Sequence, residues 1–243
     1  MLSDMSVLET VEAGNDFAEK LGLWVGFDDA IILRAAHNDL HAGQADMPSR
    51  HQCVARDAIG KEITRVRTNL VQAIAKRPPA IGAGARIRIG VPIPNAGVSF
   101  QDTNAYGAYR GYHLAHQREI ERHVRPLRAK VRSVLAKSSP ALRKIADMDA
   151  AFDRIFSERE SELLSTIPSL MEKRFKQLQR LHQLTQVDIR TEDSPSMWMT
   201  AGGWLARFCG ELQNVLIAEV DFRLQPAEGL MDALNNRIEN RNE

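Results

Sequence analysis

Two histidines four residues apart, His37 and His41, are the first side chains in this chain whose spacing could hold a metal ion. On one helix face they would offer two imidazoles, with Asn38 and Asp39 adding oxygen donors. But the segment falls where a helix is expected to end, and the glutamate of a HExxH zinc site is missing. His113, His116 and His123 spread over three turns of a strongly basic stretch, whose cations would repel a metal ion. Gly82-Ala-Gly-Ala-Arg86 is glycine-rich, yet no lysine stands at phosphate-loop spacing and no apolar strand precedes it. Asp28, Asp29 and the acids from Glu158 to Glu162 could take Mg²⁺. Helix capping and a solvated helix face account for them better. No GxSxG elbow occurs. The residues therefore point to no catalytic set, no metal site and no cofactor.

What remains is a charge pattern. From Arg110 to Lys144 there are ten Lys or Arg against Glu119 and Glu121, an excess of eight positive charges. From Asp147 to Glu172 there are seven acids against Arg154 and Arg159, an excess of five negative charges. Ser138, Ser139 and Pro140 lie near the junction, so an antiparallel hairpin would bring the two signs together. The alternative is a nucleic-acid site. Arg118, Arg122, Arg125, Arg128, Lys130 and Arg132 would contact phosphates, and Tyr106, Tyr109 and Tyr112 could stack on bases. A basic helix could also dock on a negatively charged membrane surface.

The elements that must position these groups are helices. Ile120, Val124, Leu127, Val131 and Val134 follow a 4-3-4-3 spacing, the seam of helix–helix packing. Pro126 within it predicts a kink or a restart. Ser138 or Ser139 should cap the next helix, with Pro140 in its first turn. Its apolar stripe is Ile145, Met148, Phe152, Ile155, Phe156 and Leu163. Ser165 or Thr166 should cap another, carrying Leu170, Phe175, Leu178 and Leu181. A long helix is expected over 204–224, and a separate one from Pro226. Nearer the start, helices are read over 6–20, from Asp28 to Ala36 and over 52–76. Residues 190–203 read as a polar loop, and Arg86–Ile89 could form one short strand.

The predicted fold class is all-α: long helices in antiparallel hairpin or bundle packing around a Gly/Pro-rich central loop. The expected division is 1–77 as an N-terminal helical part, 78–104 as a flexible linker and 105–243 as a C-terminal helical bundle. At 243 residues and 44% hydrophobic content the chain can bury an ordinary core. A net charge of +1 gives the whole molecule no field to steer nucleic acid. Cys53 and Cys209 are far apart and read as reduced thiols. No run of 18 apolar residues occurs, and the first 15 residues lack a basic leader, so a cytoplasmic, non-membrane-spanning protein is expected.

Several phrases also carry a family resemblance. They are Leu23–Trp24 with Asp28 and Asp29, Tyr109–Arg110, and His113-Leu-Ala-His-Gln117. Val124-Arg-Pro-Leu-Arg128, Ser139-Pro-Ala-Leu142, Glu158-Arg-Glu160, Leu163 to Pro168, Arg174–Phe175 and Leu224 to Leu230 complete the set. Together they resemble a proteobacterial domain-of-unknown-function family over most of the chain except about 42–104. That family is found beside MotA-like proton-channel and OmpA-like peptidoglycan-binding subunits, a grouping similar to the type III Zorya anti-phage system. The resemblance implies a cytosolic accessory component. Its partner would be the MotA-like/OmpA-like motor complex or a second accessory protein, and self-association stays open. It carries no catalytic residues over. One expectation is local: limited trypsin digestion should cut first at Arg86 or Arg88, and protection at both would mean the Gly/Pro-rich segment is packed.

Overall fold

The computed structural model of the chain describes residues 25–38, 50–76, 90–92, 105–188 and 195–239. Among these the regular elements are all helical. They are α1 (Phe27–Asn38), α2 (Arg50–Ala75), α3 (Tyr106–Ser138), α4 (Pro140–Ser165), α5 (Ile167–Asp188), α6 (Pro195–Trp198) and α7 (Trp204–Glu239). The helix expected over 6–20, the strand at Arg86–Ile89 and the trypsin sites lie outside the described residues. Within the Gly/Pro-rich stretch, Val91 is buried, so at that position the chain is packed rather than a free linker.

The helix ends follow local chemistry. Asp29 Oδ2 reaches back to accept from the Gly26 backbone N–H at 2.9 Å, the reciprocal half of a capping box. Ser139 Oγ accepts from the Leu142 N–H at 3.2 Å, with Pro140 as the first residue of α4. The Thr166 carbonyl accepts from Ser169 and Leu170 and starts α5. The expected 190–203 loop contains the short α6, followed by Gly202 at φ 87° and Gly203. A Cβ on Gly203 would lie 2.3 Å from the Trp198 carbonyl oxygen, so only glycine fits where α7 begins.

Two expectations about proline are corrected. α3 runs through Pro126, and α7 runs through Pro226 rather than ending at Leu224. A proline inside a helix frees the carbonyl four residues earlier. Pro126 is exposed and so is Arg122, so water can take that carbonyl. The helix therefore need not stop there.

The chain divides into two compact units, each drawing on segments from both sides of residues 78–104. The first comprises Met1–Gly60, Arg128–Ser165 and Pro226–Glu243. In it α1 packs against α4, and Val131, Leu135, Leu142, Ala146, Ala151, Leu230 and Leu234 are buried. Gly60 meets Met231 Cε, where a Cβ would stand at 3.7 Å, an ordinary contact. The second comprises Lys61–Leu127 and Thr166–Gln225. Its core is aromatic: Phe208 stands at 5.0 Å from Phe175 and 5.5 Å from Tyr109, both edge-to-face, with Trp204 5.3 Å from Phe175. Tyr112 Oη and Gln213 Nε2 both donate to the Ile74 carbonyl at 2.8 Å, satisfying an end-of-helix acceptor of α2. Tyr106 Oη donates to the Pro168 carbonyl at 2.5 Å.

The seam on α3 also differs from the expected heptad. Tyr112 apart, the buried positions are Tyr106, Tyr109, His113, His116, Ile120, Val124, Leu127, Val131 and Leu135. Eight steps from Tyr106 to Leu135 average about 3.6 residues, the period of a straight α-helix rather than of a coiled coil. Val134, the last residue of the expected seam, is only half-buried. On α4, Phe152 is exposed and Ile155 half-buried, while Leu142, Ala146 and Ala151 face inward. Leu127 is 3% exposed, so Leu127→Asp places an unpaired carboxylate in the core. A loss of at least about 3 kcal/mol is expected, read as a fall in denaturant midpoint. An unchanged midpoint would show that Leu127 is not in the core.

Candidate interaction site

The six candidate cations do not share one environment. Arg128 lays its guanidinium on Asp149 through two bonds, Nη2 at 2.7 Å and Nε at 3.0 Å, and reaches Asp153 with Nη1 at 2.9 Å. Arg132 Nη1 bonds the same two carboxylates, at 3.0 Å to Asp149 and 2.9 Å to Asp153. These four side chains are mostly buried and balance two charges against two. Bidentate, charge-assisted bonds of this kind fix the register of α3 on α4. The remaining cations lie on the exposed side of α3. Arg122 pairs with Glu119 at 2.6 Å, and Arg125 lies 3.9 Å from Glu121. The hydrogen bond from Arg122 holds the Glu119 carboxyl below its usual range. Arg118 and Lys130 are exposed.

The three tyrosines are not available to bases. Tyr106, Tyr109 and Tyr112 are each buried to within 5% of full coverage and belong to the core described above. Burial pushes the Tyr106 and Tyr112 phenols up to about 12, and Tyr109 higher still. The stacking reading of these residues is therefore replaced by core packing.

The histidines are also brought to separate tasks. His41 and the side chain of His37 lie outside the described residues. His123 Nδ1 contacts the Glu119 carbonyl at 2.8 Å on its own helix. His113 and His116 are buried inside the second unit, and His113 comes close to Glu219 of α7. Glu219 accepts from Gln117 Nε2 and Arg223 Nε, each at 3.0 Å, while His113 Nε2 stops at 3.9 Å, too far for a hydrogen bond. Burial raises the Glu219 carboxyl, but His113, Gln117 and Arg223 outweigh it and the net position is low. Burial lowers the His116 imidazole to about 4, with Glu119 opposing and His113 adding to the shift. Glu219 and Gln117 were missed in the sequence. The only signal was one acid among Leu212, Leu216, Val220 and Leu224.

Among the described residues, two helices carry more than one exposed large apolar side chain. On α5, Leu181 and Leu184 are 51% and 68% exposed beside Lys173, Lys176, Gln177 and Arg180. Among the described residues these six line an open groove of about 300 Å³. On α4, Ile145, Phe152 and Leu163 are exposed along one side of the helix.

Fold and surface define a class: an all-α protein of long helices that shows exposed apolar and basic helix faces. Among the described residues no group of three metal-ligating side chains converges, and no helix is long and apolar enough to cross a membrane. The model of the protein family of unknown function DUF3348 matches residues 1–236, and the chain belongs to that family. No curated protein and no solved structure matches.

The buried His116 generates a pH dependence with a definite sign. Its folded pKa lies below the ordinary 6.5, so the unfolded chain takes up the proton first. The stability contributed is fully present above 6.5 and is lost as pH falls from 6.5 toward 4. The loss is expected to reach about 3 kcal/mol at the low end. Denaturant midpoints between pH 7 and 4 should fall less steeply in His116→Gln than in the parent chain. Parallel curves would show that His116 is not the group responsible.

Proposed function

We propose that this protein is a cytosolic helical accessory component, an adaptor or effector, of an ion-driven motor anti-phage defence system, acting through protein–protein contacts. The system comes from the resemblance of its helical phrases to the accessory family found beside MotA-like and OmpA-like subunits. The observation that carries the mode of action is the groove on α5. Two half-exposed or more exposed leucines lie there in a frame of Lys173, Lys176 and Arg180, on a helix face spanning about three turns. An amphipathic helix with acidic flanks fits such a face through apolar anchors and opposite charge. The partner in this reading is the motor complex or a second accessory protein.

Nucleic acid is the weaker reading, because Arg128 and Arg132 are committed to Asp149 and Asp153. It keeps only Arg118, Arg122, Arg125 and Lys130 on the exposed side. The test is capture of the tagged full-length chain from its native host, with and without nuclease, alongside Leu181→Asp/Leu184→Asp. Both leucines are exposed, so the variant should keep its fold. Nuclease-resistant capture of the motor subunits, reduced at least tenfold in the variant, is the expected result. Sub-micromolar DNA or RNA binding at physiological salt, abolished by changing Arg118, Arg122 and Arg125 to glutamate, would overturn it in favour of a nucleic-acid effector.

A further inference from the structure

We infer that Lys173, Gln177 and Arg180 on α5 select the partner: a helix of another protein that carries two carboxylates seven residues apart, with apolar anchors beside them on the same face. This rests on the docking role proposed above for the α5 groove and names what that groove reads. Lys173, Gln177, Arg180 and Leu184 follow one another at steps of four, three and four residues. At 3.6 residues per turn, such steps keep all four on one side of the helix, along about 17 Å. All four are exposed, and with Lys176 and Leu181 they line the groove.

The polar members of this line are left with donors only. Arg174 Nη1 donates to Gln177 Oε1 at 2.9 Å, so the amide oxygen is engaged and the NH2 group remains. Lys173 and Arg180 carry no acceptor, and among the described residues neither makes an ion pair. The neighbouring cations differ. Lys176 Nζ lies 2.7 Å from Glu172 Oε1, one turn back on the same helix. Arg174 places Nε and Nη2 on the two oxygens of Glu211, each at 2.7 Å. The open positive charge is therefore that of Lys173 and Arg180. A ligand that brought donors against this line would leave them unpaired, whereas carboxylates are acceptors only. Lys173 and Arg180 stand two turns apart, about 10 Å, so one rigid helix meets both with acids at the same seven-residue interval. Phosphate offers similar acceptors, but Leu181 and Leu184 continue the face at its C-terminal end, 51% and 68% exposed. A nucleic-acid backbone brings nothing apolar to them. A helix presents acids and apolar anchors together on one face.

The test uses the full-length chain and synthetic 18-residue helical peptides with two leucines and two glutamates. In one series the glutamates share the leucine face seven residues apart; in a second they stand five apart, off that face; in a third both are glutamine. Each is made with the leucines before and after the acids, so that either direction of docking is sampled. In one of the two orders, the seven-residue glutamate peptide should bind at least tenfold tighter than both controls at physiological salt. Lys173→Gln/Arg180→Gln should reduce that preference to less than twofold. Glu172→Gln/Lys176→Gln removes a paired charge at unchanged net charge and should leave the preference intact. Circular dichroism checks that both variants keep their helices. No preference for the seven-residue glutamates overturns the inference, as does a preference that survives Lys173→Gln/Arg180→Gln. Displacement of the peptide by phosphatidylserine vesicles or duplex DNA at physiological salt would give the face to a phosphate surface and overturn it. A dimer of the chain that the peptide dissolves would give the face to a second copy and overturn it too. Failure to capture motor subunits with the peptide preference intact would sink the motor context and leave this recognition standing. Capture that depends on Leu181 and Leu184 without any acid preference would do the reverse.

Discussion

A buried line of side chains spaced at about 3.6 residues along α3 is the constraint that the other helices answer to. At its start, Tyr106 and Tyr109 are met by Phe175 of α5 and Phe208 of α7, and the neighbouring Tyr112 closes the last turn of α2 through the Ile74 carbonyl. Its lower part, Val131 to Leu135, lies beside the guanidinium groups that dock on α4. A helix that keeps one face buried over so many turns must present its opposite face to water. On α3 that opposite face carries Arg118, Arg122 and Arg125. The basic character of this stretch is thus first a consequence of amphipathicity. Only the surplus after local pairing is available to a ligand.

That surplus is reduced by geometry rather than by composition. Asp149 and Asp153 stand one turn apart on α4, and Arg128 and Arg132 stand one turn apart on α3. Side chains four residues apart share a helix face, so each pair acts as a unit. Two carboxylates and two guanidinium groups in a partly dry interface exclude slipped registers, since any one-turn shift would strand a charge. The network therefore contributes as much to specificity of the hairpin as to its stability.

The second unit holds a different kind of polar centre. Glu219 is nearly inaccessible, and its charge is held by Gln117 and Arg223 with His113 close by. The arrangement ties α3 to α7 within the aromatic core, and Gln213 ties α7 to α2. These bonds give Glu219, Gln117 and Gln213 their partners in a core otherwise mostly apolar.

Much of this was legible in the amino-acid order, because it depends on local spacing. Helical periodicity, the Ser139–Pro140 cap, the acidic first turn of α1 and the opposite charges of α3 and α4 all arise within a few turns of chain. Other features were decided only in three dimensions. Proline weakens a helix locally, but packing of α3 and α7 on both sides of Pro126 and Pro226 carried each helix through. Phe152 fits an apolar stripe as well as Leu142 does, and only the approach of α1 and α3 determines which of them faces inward. The three tyrosines could equally have stacked on bases until Phe175 and Phe208 were seen to enclose two of them. Spacing along a helix defines which residues share a face. Which face is buried depends on contacts between residues far apart in the chain, and these are set by the packing within each compact unit.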